Sequence, residues 1–186
     1  MSLAVHVSLL ISLVLAAAPR LAVAADPEAE RLAEAAVALC GRADRLPDDE
    51  RPAMLRRGLK LAERARARDD TVARAHFAVF CTLGKLVDSE GIGWRTLGSV
   101  RRVRVAIERA VALAPDDVDA LVGKGALLLR LPRLLGGDER EAEACLRRAL
   151  QIDPWHASGR SYLAQLHADR VVAPPSTALS SAAVDQ

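Results

Sequence analysis

The sequence predicts an all-α fold of stacked helical hairpins. Three observations carry that prediction. First, three stretches end helix-like runs in the same way: Leu61-Ala62-Glu63-Arg64-Ala65, Ala106-Ile107-Glu108-Arg109-Ala110 and Cys145-Leu146-Arg147-Arg148-Ala149. Second, five residues after the closing alanine the last two reach Pro115 and Pro154, while the first reaches Asp70. Third, no segment alternates with the period of two that a half-buried strand requires. Apolar positions recur instead three and four apart, as at Val103, Ile107 and Ala110 and at Ala142, Leu146 and Ala149. Repetition of this kind points to an array that presents a binding surface rather than a catalytic pocket.

From Leu3 to Ala18 the chain is almost wholly apolar, and Ala22-Val23-Ala24-Ala25-Asp26 follows. A hydrophobic region ahead of an A-x-A site reads as a secretory signal peptide over residues 1–25, although no Lys or Arg precedes the apolar core. The alternative is an uncleaved anchor in the inner membrane, for which a run of this length is short. No cysteine follows the cleavage site, so lipid attachment there is not supported. The expected setting is periplasmic or secreted.

Seven helices are expected in the helical domain, residues 26–170. Asp26 caps the first, Pro27 to Arg42, with Pro27 at its first position and acids in its first turn. Pro47-Asp48-Asp49 separates it from the second, Glu50 to Arg68, where Pro52 is tolerable only in the first turn. Asp69-Asp70-Thr71 leads into the third, Val72 to Val87, and a loop from Asp88 to Gly98 follows. The fourth, Ser99 to Ala114, stops at Pro115. The fifth runs from Asp116 or Asp117 to Leu131, ahead of Pro132 and the Gly136-Gly137 turn. Asp138 starts the sixth, with Glu141 placed for a capping box, and Pro154 ends it. The seventh spans Trp155 to Asp169. Residues 171–186, rich in Ser, Ala and Pro, are expected to be disordered. Short connections make consecutive helices antiparallel neighbours.

The formal charge is +2, and Arg20 of the leader supplies one unit of it. That balance argues against a nucleic-acid partner. The cysteines, Cys40, Cys81 and Cys145, are odd in number and lie inside helix-like runs. Export would permit a disulfide, yet all three read better as free, buried, small hydrophobes. No spacing matches a zinc site.

The hairpins resemble tetratricopeptide repeats (TPR). Gly125 supplies the small helix-A residue, and Ala142, Leu146, Ala149 and Pro154 supply the helix-B positions and closing proline. Val103, Ile107, Ala110 and Pro115 match in the preceding repeat, with Val103 a departure, and Gly58, Ala62 and Ala65 match without the proline. The resemblance implies a short α-solenoid of about three hairpins with the seventh helix as a C-terminal cap. The turn Leu131-Pro132-Arg133-Leu134-Leu135-Gly136-Gly137-Asp138 is similar to one in exported TPR proteins associated with TRAP transporters, the TatT-like group. That similarity implies an extracytoplasmic accessory role in solute uptake and a periplasmic solute-binding protein as partner.

No constellation for catalysis is present, and no cofactor or metal is expected. His156 and His167 would lie ~16 Å apart along a helix, too far to share a metal. Gly91-Ile92-Gly93 follows a helix and lacks a Gly-Lys-Ser/Thr ending, so it reads as a linker. Trp94 within it is a candidate partner contact. Arg95, Arg101, Arg102 and Arg104 read as a solvated face. TPR-type stacks line their inner groove with helix-A residues, here Asp119, Val122, Ala126, Leu129 and Arg130. Ser158, Ser161 and Gln165 follow on the next helix A, and Phe77, Cys81 and Lys85 lie on the earlier one. The apolar middle would take a partner's helix or an apolar small ligand, unless the chain fills it as a purely structural scaffold, and a homo-oligomer is a further expected partner arrangement. Asp119 and Arg130 sit at the helix ends that suit their charges, which accounts for both without a ligand.

Overall fold

The structure is a computed structural model, and it describes residues 24–90 and 97–172, with Glu90 and residues 170–172 described by backbone alone. The predicted signal peptide, apart from its last two residues, and Trp94, Arg95 and the tail after Val172 lie outside those residues. Among the described residues seven α-helices follow one another: α1 Pro27–Ala43, α2 Arg51–Arg68, α3 Ala73–Glu90, α4 Leu97–Leu113, α5 Val118–Arg130, α6 Glu139–Ile152 and α7 Ala157–Val172. No strand occurs among the described residues. The third helix runs past its expected end at Val87, so the intervening loop is shorter than Asp88 to Gly98.

Local chemistry sets the helix starts. Asp26 accepts from the backbone N–H of Glu28 at 2.8 Å and Ala29 at 3.3 Å, Asp117 from Ala120 at 2.8 Å, and Asp138 from Arg140 at 2.8 Å and Glu141 at 3.0 Å. The expected capping box at Asp138 is half formed, because the Glu141 carboxylate lies 2.6 Å from Lys124 Nζ instead of folding back. A 3₁₀ turn, Arg133–Leu135, fills the α5–α6 connection.

The helices pair as α1–α2, α3–α4 and α5–α6, and α7 packs on both α5 and α6. This is the expected short solenoid of three hairpins with a capping helix. The closing alanines Ala65, Ala110 and Ala149 are at most 1% exposed, which places the repeated ending at the helix crossings. Small residues let the backbones approach there. A Cβ on Gly125 would lie 2.8 Å from Leu146 Cγ, and one on Gly58 would lie 2.8 Å from Thr82 Cγ2.

One expectation about the core fails. Cys40 and Cys81 are not free: they form a disulfide that ties α1 to α3, with Cα atoms 6.3 Å apart. Both sit on inner helices of successive hairpins, and α1 packs directly against α3, so residues 41 apart in sequence become neighbours. Cys145 is free and buried as expected, and burial raises its pKa.

Candidate functional site

The helix-A elements α1, α3, α5 and α7 form the inner face. α1 packs on α3 and α5 on α7, whereas α3 and α5 meet mainly through side chains. The Phe80 ring reaches α5 at Gly123, where an added Cβ would lie 2.6 Å from Phe80 Cε1. Phe80 also packs near Phe77, ring centroids 5.9 Å apart. The two rings wedge the inner helices apart, and a groove of about 630 Å³ opens along the wedge. Phe77, Phe80, Cys81 and Gly84 form its α3 side, Val122, Ala126 and Leu127 its α5 side, and Tyr162 closes it from α7.

Ion pairs rim the groove at both ends of the helices. At the N-terminal end, Arg74 Nε lies 3.0 Å from Glu34 Oε1, and Arg74 Nη1 lies 3.2 Å from Asp119 Oδ2. His156 Nε2 lies 3.4 Å from the other oxygen of Asp119. Burial pulls the Arg74 pKa down, but the bond to Asp119 and the charges of Glu34 and Asp119 leave it raised. At the C-terminal end, Lys85 Nζ contacts Asp44 at 2.5 Å and the Cys40 carbonyl at 3.3 Å, and Arg130 pairs with Asp88. The paired residues lie 37 to 45 apart in sequence, so each pair links neighbouring inner helices and the ladder keeps the register of the repeat.

Phe77, Lys85, Asp119, Val122, Ala126 and Arg130 thus come together around one groove, along with Cys81 and Ser158. The apolar strip differs from expectation. Val122 is 5% exposed, because α6 and α7 cover it, and Ala126 is 9% exposed, so the two are packed rather than an open patch. Leu129 is half-buried and, with Gln165, lines a second cavity of about 420 Å³ between α5 and α7. Ser161 is exposed and lines neither cavity. Ser158 and Tyr162 are the α7 residues that turn to the main groove. Reasoning from the repeat frame also missed Phe80 and the acids Asp44 and Asp88. A frame shift of 41 to 42 residues, pairing Asp44 with Lys85 and Asp88 with Arg130, was the signal that could have found the acids.

The other singled-out residues have local partners. His76 is buried with Nε2 2.9 Å from the Asp70 carbonyl oxygen, and His167 lies 3.6 Å from Glu143. Among the described residues no group of His, Cys, Asp and Glu could hold a metal. Arg102 pairs with Glu63, and Arg104 with Glu108 at 2.8 Å. Arg104 also lies over the Leu131–Asp138 turn, where an added Cβ on Gly136 would meet its Nη1 at 1.8 Å. Gly136 has φ +90°, the left-handed region that glycine adopts at least cost. Leu135 packs into the core beside Leu131, while Leu134 is 98% exposed.

No described protein family matches the chain, and no curated protein matches it. Among solved structures the chain is similar to YrrB, described as a TPR protein with an unusual peptide-binding site. The identity is 18%, covering 80% of this chain and 86% of that one, with a TM-score of 0.34.

Proposed function

We propose that the protein is an exported TPR-type binding protein whose inner groove takes a segment of a partner protein. The observation that carries this reading is the groove itself: a half-buried apolar floor of Phe77, Phe80 and Leu127 between two ion-paired rims. Such a trough excludes water from an apolar segment while its rims stay solvated, the arrangement that buries a peptide's side chains at an interface. A second reading, an apolar small ligand, is favoured by the groove's volume, which falls within the range of small-molecule sites. No enzymatic role is proposed.

Export is supported by the leader-like N-terminus and by the Cys40–Cys81 disulfide, a bond typical of oxidising compartments. The finer assignment, an accessory of a TRAP-type uptake system acting with a periplasmic solute-binding protein, rests on the resemblance of the Leu131–Asp138 turn alone. Within that turn Leu131 and Leu135 pack into the junction with the second hairpin, while Pro132, Arg133, Leu134 and Asp138 are exposed, Leu134 as a large apolar side chain in solvent.

The test is affinity capture from periplasmic extract with the wild-type protein and with Phe77→Glu, which puts a charge on the half-buried floor. A partner or small molecule retained by the wild type and lost from the variant supports the groove. Equal recovery on both, or nothing on either, overturns it.

A further inference from the structure

Four features point to an occupant for the groove within the chain itself. The first is continuity. The second cavity lies between α5 and the C-terminal half of α7, lined by Leu166 and Asp169, and it shares Ala126, Arg130 and Tyr162 with the main groove. One turn beyond Asp169 the helix reaches Val172, its last described residue, so residues 173–186 follow in sequence from this end of the trough.

The second feature is charge. The charged groups that line the main groove each have an ion-pair partner: Asp44 with Lys85 and Asp88 with Arg130 across it, Asp119 with Arg74, and Arg51 with Asp48 outside it. A charged occupant would have to break one of these pairs, whereas an uncharged apolar one would not. Residues 173–186 are nearly uncharged, with Asp185 their single charged side chain, and they carry Pro174, Pro175, Leu179 and Val184 among small Ala, Ser and Thr residues. The third feature is reach. An extended segment of this length spans up to about 45 Å, and crossing from α7 to α1 covers three helix spacings, about 30 Å. The fourth is tethering, which gives a short attached segment an effective concentration in the millimolar range, so even a weak site fills.

We infer that residues 173–186 are the groove's resident occupant and that a partner must displace them. The inference rests on the groove being the binding site. It is tested in the full chain by fluorescence anisotropy, with a fluorescein-labelled peptide of residues 173–186 as probe. The wild type is compared with Leu179→Asp/Val184→Asp, which weakens the tail's own docking without touching the helical core. The probe is expected to bind the double variant at least tenfold more tightly than the wild type, and adding Phe77→Glu to that variant should abolish binding. Circular dichroism checks that Phe77→Glu stays helical.

Equal binding to wild type and double variant, or no binding to the double variant, overturns the inference. A second probe, an unrelated uncharged peptide containing Leu and Phe, separates the two readings. If it binds the double variant in a Phe77-dependent way while the tail peptide does not, only the resident-tail inference falls. If neither probe binds, the groove reading falls with it.

Discussion

At the scale of single residues, the glycines divide into those that the packing requires and those that it does not. Gly136 combines a positive φ with the Arg104 guanidinium where a side chain would stand. Gly136→Ala is expected to lower stability by about 1–3 kcal/mol, read as a lower urea midpoint. Gly41 is the opposite case: it sits in α1 with nothing within 4 Å of an added Cβ. Gly41→Ala should raise the midpoint, by roughly 0.5–1 kcal/mol, because alanine restricts the unfolded chain and favours the helix. The sequence already places Gly41 inside a helix and Gly136 in a turn. What it does not show is the guanidinium of Arg104, remote in sequence, standing over Gly136.

At the scale of elements, the helices were readable because their signals are local. Asp26, Asp117 and Asp138 each stand just before an apolar-periodic run, and Pro115, Pro132 and Pro154 follow the ends of three. The Cys40–Cys81 bond was not readable, because it depends on α1 and α3 being neighbours, and that contact arises only when the hairpins stack. The register of α7 was legible in part: Ser158 and Gln165 line the cavities as expected, while Ser161 turns away and Tyr162 takes its place. The caps also set an acid limit. Arg68 beside Asp26, the Thr71 hydroxyl on Asp69, and the Glu141 and Arg140 N–H groups on Asp138 hold all three carboxyls below the usual aspartate range. A carboxyl depressed in the folded state contributes stability above its unfolded value, about 3.9, and loses it as pH falls through the lower folded value. The urea midpoint should therefore be level from neutral pH to about 5 and fall below about 4. Asp26→Asn should flatten that fall, and an unchanged profile in the variant would remove Asp26 from the explanation.

At the scale of the whole molecule, stability in a stack is a sum of hairpins and the interfaces between them. The interfaces are unequal. The first and second hairpins share direct α1–α3 packing, the Lys85–Asp44 pair and the disulfide, which in the chain-entropy account contributes about 4 kcal/mol for a loop of this size. The second and third hairpins meet across the groove, where the inner helices stay apart and contact is carried by Phe80 on Gly123, by the small cluster of Ile107, Ala110 and Ala120, and by Leu131 in the cluster with Leu83, Val87, Val100 and Val103. The same wedge that makes the groove makes the softest junction. Leu131→Ala removes a side chain that is 6% exposed there and should cost about 2–5 kcal/mol. Its signature should be uneven: in hydrogen exchange, amides of α6 and α7 should lose protection first, while α1 to α3 keep theirs so long as the disulfide is intact. An equal loss across all seven helices would mean that the stack opens as one unit. In that case the groove would be a rigid feature and not a hinge between two parts of the molecule.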